Sequence, residues 1–245
     1  MNTVLTTISL QGLIIAFVPV AIVIGIMFRW SVGAPTAIYA SLRMLFQLLL
    51  IGYVLVYIFE SDQPAIIIAV LIVMLIVASW IAIRPLHNKQ PQMYLNSLVA
   101  ISVGGILTLA LVSQIIIGVE PWFSPRYVVP LAGMIFSGSM NTVSLAGERL
   151  QYEYDRGMPY VEARRIALQA SLIPITNSLF AVGLVSLPGM MTGQILSGIS
   201  PLVAAKYQIV VMTMLFGTSG ISAALYLVLA NRSLQKSHAP KHQGN

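Results

Sequence analysis

No cysteine occurs among the 245 residues. Disulfides, zinc-thiolate sites and iron–sulfur ligation are therefore excluded, and the count says nothing about redox compartment. Charge is nearly as scarce: 8% of residues are Asp, Glu, Lys or Arg, against about 25% in a typical soluble domain. Histidine is limited to His87, His238 and His242. Only His87 lies outside the tail, so the nucleophile–base pairing of an intramembrane enzyme is not legible. No G-x-x-x-x-G-K-[ST] cradle is present, so the chain has no P-loop chemistry with which to hydrolyse a nucleotide. No internal repeat is visible.

What remains is apolar. Hydrophobic residues make up 58% of the chain and its mean hydropathy is +0.88. A water-facing surface cannot be built from this composition, so lipid is the solvent for most of the chain. The net charge of +6 does not imply nucleic acid, because the cations sit singly or in small groups between apolar runs instead of forming a basic face. No Lys or Arg precedes the first run and Arg29 follows it, which is unlike a cleaved signal peptide.

Apolar runs near 20 residues predict an all-α fold with seven spans: Ile8–Phe28, Thr36–Phe59, Ala65–Ile83, Tyr94–Gly118, Tyr127–Gly147, Leu168–Leu187 and Gln208–Ala230. One set of span ends carries Arg29, Arg84, Lys89, Arg149, Arg156, Arg164, Arg165, Arg232, Lys236 and Lys241; the other carries only Arg126 and Lys206. That bias predicts an outside N-terminus and a cytoplasmic C-terminus. A permease domain over residues 1–232 is expected, with a disordered basic tail over 233–245.

One polar island interrupts the pattern. "GERLQYEYDRGMPYVEARR" holds four of the seven acidic residues and four arginines. A cytoplasmic connection over about 148–167 is expected, with a helix starting near Pro159 and Glu162 in its first turn. Tyr160, Ala163 and Ala167 share one helical face, with Glu162, Arg165 and Gln169 opposite. Either a headgroup-level surface helix or a docking element fits such a segment.

Within the spans, Arg43 is the costliest residue, about 2.5–3.5 kcal/mol at mid-membrane. Gln47 lies one turn on. The pair suits a cargo path, or Arg43 snorkels to the headgroups. Asn141 and Asn177 are further cargo candidates, since a buried amide needs a partner. Gly133, Ser137 and Asn141, Gly104 with Thr108, and Gly217 with Gly220 and Ala224 form small-residue faces suited to close helix packing. "GLVSLPGMMTGQILSGISP" is too broken by Gly and Pro to cross about 30 Å of hydrocarbon, and too apolar for a solvated loop. Pro188 and Gly189 are expected to end or kink the sixth span. The segment that follows, with Met190, Met191 and the hinge Gly193, is expected to be re-entrant or interfacial, as a gate or a static plug. No metal site is legible: Met190 and Met191 are soft donors, but packing explains them as well.

The strings "GLVSLPGMMTGQILSGISPLVAAKYQI", "RMLFQLLLIGYVLVYIF", "VVPLAGMIFSGSMN" and "ASLIPITNS" resemble those of the FetB/YbbM-type permeases, a family with a plant aluminium-tolerance branch. The resemblance implies the membrane subunit of an ATP-binding-cassette exporter in the bacterial inner membrane. It would act as a homodimer with two cytoplasmic ATPase subunits that carry the ATP and Mg, and bind no cofactor of its own. Iron is the implied cargo; a nucleotide sugar or another organic anion is the alternative. The island then resembles a coupling helix: Gly157, Pro159, Glu162 and Ala163 match relatives in kind, Arg156 and Met158 depart, and Arg164 and Arg165 complete the contact. Asn177 stands where relatives often carry Asp. A self-contained secondary transporter stays open as a rival, although such proteins usually show an embedded carboxylate or histidine.

Overall fold

The computed structural model is all-α among its described residues, which are 9–60, 63–87 and 90–238, with side chains described to residue 231. The chain forms two compact units, residues 1–61 and 62–245.

The first unit contains α1 (Leu10–Ile15), α2 (Val18–Arg29) and α3 (Ala34–Phe59). The expected first span is broken in two, because Pro19 near the start of α2 has no N–H for the preceding turn. Ser9 caps α1 by accepting from the Gly12 amide. Arg29 closes α2, where a cation suits the carbonyl end of the dipole. No residue of α1 or α2 is buried, as expected of helices whose solvent is hydrocarbon.

The second unit contains α4 (Pro64–Ala82), α5 (Pro91–Ala110), α6 (Pro125–Asp155), α7 (Tyr160–Ala181), α8 (Gly189–Leu196) and α9 (Pro201–His238). A wider π-helical turn, Leu111–Ile116, continues α5. Proline stands in the first turn of α4, α5 and α6, where its missing N–H leaves no hydrogen bond unmade. The central helix is α6, which packs against α4, α5, α7 and α9; α5 and α7 also rest on α9.

Small residues set how closely these helices approach. A Cβ on Gly105 would meet the Phe136 ring at 2.8 Å, and one on Gly147 would meet Leu86 at 3.0 Å and Tyr226 at 3.1 Å. A Cβ on Gly104 would collide with Ser222 Oγ. Around that contact Ser139, Thr218 and Ser222, all at 0% exposure, form a hydroxyl chain: Ser222 donates to Ser139 at 3.1 Å, and Ser139 pairs with Thr218 at 3.0 Å. Bonds among helices stand in for hydration that the interior lacks. The face expected from Gly217, Gly220 and Ala224 is displaced. Gly217 has nothing within 4 Å, and the buried stripe of α9 runs through Thr218, Ser219, Ser222 and Ala223 instead.

Among the described residues six helical stretches, not seven, are long and apolar enough to cross a membrane: Leu10–Arg29, Ala34–Phe59, Pro64–Ala82, Pro91–Ile116, Pro125–Asp155 and Pro201–Asn231. The expected sixth span fails on composition. Its helix, α7, is 22 residues long, about 33 Å at 1.5 Å per residue, but it begins inside the charged island. Packing nevertheless runs α7 the full length of the bundle. Tyr160 meets Leu227 near one end of α9, and Leu179 shares a cavity with Ala205 and Gln208 near the other. Thus α7 is antiparallel to α9.

Three expected boundaries also move. The island is not a long connection, since α6 continues to Asp155 and only residues 156–159 are non-helical. Burial of Leu150, Gln151 and Glu153 holds that extension, with an Arg149–Glu153 ion pair one turn apart. Pro188 and Gly189 do not end the preceding helix. It stops at Ala181, and Gly183 at φ +86° turns the chain. Pro188 instead caps α8 and Gly189 opens it, because a proline without an N–H suits a helix start. The tail is expected to begin at 233, yet α9 runs on to His238; the rest of that expectation, residues 239–245, lies outside the described residues.

Candidate functional site

At one end of the second unit, α6 and α7 meet in a tight hairpin. Gly157, at φ +85°, is the left-handed residue that ends α6. Its amide donates to Tyr154 O at 3.0 Å and the Met158 amide donates to Glu153 O at 3.2 Å, the paired bonds of a Schellman stop. Pro159 then caps α7, and Glu162 lies in its first turn, where a carboxylate complements the positive end of the helix dipole. Ala163 and Ala167 are fully buried and Tyr160 half-buried, while Glu162, Arg165 and Gln169 are exposed; this is the two-faced pattern that their spacing predicts. Arg164 is intermediate. Arg156 folds back on α6, donating to the Tyr152 hydroxyl at 3.0 Å with its guanidinium 5.3 Å from that ring's centre.

Tyr160 ties this hairpin to the bundle. Its hydroxyl donates to the Leu227 carbonyl of α9, and its ring meets Tyr154 edge-on at 6.4 Å between centroids. Burial pushes the Tyr160 phenol up to about 12, opposed by the nearby Arg164 guanidinium. The group therefore stays a protonated donor throughout the physiological range. Beside Leu227, Tyr226 would meet a Cβ on Gly147 at 3.1 Å, so Gly147 brings α6 against the same part of α9. The hairpin is thus fastened to two long helices, α6 and α9. Spacing alone shows Tyr160 to be on the packed face, but not that its hydroxyl finds a carbonyl on another helix.

A second set of features runs along one open stripe of α6. Tyr127, Pro130, Ser137, Asn141 and Leu145 are all exposed, with the half-buried turn of Gly133 and Met134 between Pro130 and Ser137, while the opposite face is core. Two cavities lie on this stripe. Asn141 lines a crevice of about 170 Å³ with Ser171, Pro174 and Ser178 of α7 and Ser219 of α9. Toward the α8 end, Arg126, Tyr127 and Met134 of α6 line a cavity of about 350 Å³ with Met190, Gln194 and Tyr207. The buried Gln194 Oε1 has no partner among the described residues.

The other site expectations separate. Asn177 is exposed and does not line the Asn141 crevice. Arg43, half-buried, and Gln47, exposed, lie on α3 in the other unit. Met190 and Met191 face different cavities. Met191 looks into one of about 330 Å³ shared with Met212, Gln208 and Gly183. Gly193 is exposed in the middle of α8, and Gly198, at φ +88°, ends that helix. Among the described residues no three of His, Cys, Asp or Glu are grouped to hold a metal ion. Arg126, Tyr207 and Gln194 give no sequence signal, because only the packing of α8 across the start of α6 and α9 assembles them.

A bundle in which six helical stretches among the described residues are long and apolar enough to cross a membrane defines a multi-pass membrane protein. The chain belongs to the uncharacterised protein family UPF0014, whose model matches residues 10–164 and 158–235. It is 34% identical to the probable iron export permease protein FetB of Escherichia coli, over 87% of this chain and 82% of that protein. It is 33% identical to the protein ALUMINUM SENSITIVE 3 of Arabidopsis thaliana, over 76% and 72%. With the UPF0014 membrane protein STAR2 of rice it shares 32% identity over 84% and 76%. No solved structure matches the chain.

Proposed function

We propose that this chain is the membrane subunit of an ATP-binding-cassette exporter, working as a homodimer with two ATPase subunits in the cytoplasm. The observation that carries the reading is the α6–α7 hairpin, a charged, exposed turn whose only slack is four residues and whose Tyr160 grips α9. A push on Glu162, Arg164 and Arg165 by closing ATPase subunits moves α7 and α9 together, since neither can yield without breaking their shared contact. The island's four arginines support a cytoplasmic hairpin and C-terminus by charge bias. The 22-residue α7 then makes the return crossing, flanked by α6 and α9. ATP and Mg belong to the partner subunit.

In this orientation the Arg126–Gln194 cavity is at the outer end and the Asn141 crevice near the middle of the bilayer, so the α6 stripe is the export path. The short helix α8, with Pro188 and Gly189 at its start and Met190 in the outer cavity, is the gate. Iron is the proposed cargo, as the name of the Escherichia coli relative suggests. An organic anion or nucleotide sugar is the second reading, favoured by Arg126 and by a crevice lined without carboxylates. The test is reconstitution in liposomes with the cognate ATPase, measuring ATPase stimulation and flux of ferrous ion, ferric citrate and a nucleotide sugar. Gly157→Ala forces a Cβ into the left-handed region, costing about 1–2 kcal/mol at the turn. That variant and Glu162→Gln are expected to lose stimulation and flux while remaining inserted. Full pumping by the chain with no companion present would end the proposal.

A further inference from the structure

Arg126 stands in the first turn of α6, where a cation opposes the positive end of the helix dipole. The start of α9 lies beside it, since Ile199 and Tyr207 line the same cavity of about 350 Å³. Neither helix has an acidic residue in its first turn. Among the described residues no carboxylate pairs with the Arg126 guanidinium. None lines the cavity either, and Glu120, in the loop before α6, is outside the lining. On another wall, α8 contributes Gln194, whose buried Oε1 has no hydrogen-bond partner among the described residues. It is a carbonyl short of a donor. The rest of the lining is the phenols Tyr127 and Tyr207 and apolar side chains such as Pro130 and Leu131. A cavity of this size falls within the range of small-molecule sites, about 300–1,000 Å³.

We propose that this cavity between α6, α8 and α9 binds a small hydroxy acid, whose carboxylate pairs with Arg126 and whose hydroxyl donates to Gln194 Oε1. Three features specify that class. The uncompensated guanidinium asks for an anion, and its planar fork matches a carboxylate. The Gln194 carbonyl asks for a neutral donor, because an ammonium would find no carboxylate in the lining to receive its charge. The apolar walls ask for a carbon body, which an inorganic anion does not supply. This deepens the organic-anion reading of the proposed function by naming the class of anion. It rests on that reading only in making the acid a cargo; binding itself requires no ATPase.

The test is calorimetric titration of the full-length chain in detergent with L-malate, succinate and L-aspartate. L-malate is expected to bind about ten-fold or more tighter than succinate, the same diacid without the hydroxyl, because the succinate complex leaves Gln194 Oε1 unpaired. L-aspartate, with an ammonium in place of the hydroxyl, is expected to bind more weakly than L-malate. This comparison on the wild-type chain needs no variant to fold. Arg126→Gln should weaken both diacids by about ten-fold or more. Gln194→Leu should bring L-malate down to the level of succinate while leaving succinate within about two-fold. Lys206→Gln, at an exposed position on α9 outside the lining, should change either by less than about three-fold, as a screened surface charge does. Equal affinity for L-malate and succinate overturns the site, as does L-aspartate binding tighter than L-malate. So does a loss at Lys206→Gln as large as at Arg126→Gln, or no L-malate binding up to about 10 mM. Stimulation of the cognate ATPase is measured separately: stimulation without L-malate binding removes this site alone, and binding without stimulation keeps the site and removes the ATPase partnership.

Discussion

Gly104→Ala is a one-methyl change that tests how the second unit is held together. The new Cβ would collide with Ser222 Oγ, with the Ser222 amide nitrogen at 3.3 Å and Ile221 Cγ2 at 3.5 Å behind it. Ser222 is fully buried and donates to Ser139, so its hydroxyl cannot swing away without leaving a buried partner short of a bond. Overpacking costs about 1–3 kcal/mol and the lost hydrogen bond about 0.5–1.5 kcal/mol. The gain in helix propensity from Gly to Ala returns about 1 kcal/mol. The net expectation is a loss of roughly 1–3 kcal/mol, or a fall of about 3–10 °C in melting temperature by the scaling for soluble chains of this size. The assay is thermal unfolding in detergent followed by size-exclusion chromatography. Ser222→Ala removes the obstructing oxygen, so Gly104→Ala/Ser222→Ala should be no less stable than Ser222→Ala by more than about 0.5 kcal/mol, a clear departure from additivity. Gly217→Ala, with open space around it, should be neutral or stabilising by up to about 1 kcal/mol. A Gly104→Ala protein as stable as wild type, or a double variant that loses both penalties in full, would refute this packing.

Two further outcomes follow from the proposed lever and the proposed gate. Tyr160→Phe removes only the hydroxyl that donates to Leu227, so stability should fall by about 0.5–1.5 kcal/mol while ATPase stimulation and transport lose their tight coupling; equal stimulation and flux in both proteins would leave Tyr160 as mere packing. Met134 and Met190 line the same outer cavity from α6 and α8, so a Met134→Cys/Met190→Cys disulfide should arrest transport and reduction should restore it. Undiminished flux through the crosslinked protein would make α8 a static plug.

Much of this molecule is written in composition. With 58% hydrophobic residues and 8% charged, the chain must place its helices in lipid, and the runs Thr36–Phe59, Ala65–Ile83 and Tyr94–Gly118 become helical stretches within a few residues of their expected bounds, while those begun at Tyr127 and Gln208 run well past theirs. The sixth that was expected to cross, Leu168–Leu187, shows the limit of hydropathy. Its helix α7 begins inside the charged island, which lowers its hydropathy, and it ends at Ala181, where Gly183 and not Pro188 turns the chain. The two-faced pattern of the island was legible because Ala163 and Ala167 follow helical spacing. The length of the island was not, because burial of Gln151 and Glu153 carries α6 through residues that read as solvated.

The sequence by itself determined the solvent, the helical class and the charge island, since each depends on residue type summed over a local window. Tertiary structure alone decided which small residues touch. Gly104 and Gly217 have the same chemistry, yet one lies against Ser222 and the other faces open space. It also decided that Met190 and Met191 serve different cavities and that Arg126, Gln194 and Tyr207 share one. The physical reason is that spacing specifies a helix's face relative to itself, whereas contact depends on the rotation and crossing of its neighbours, which arise only when all the faces are packed together.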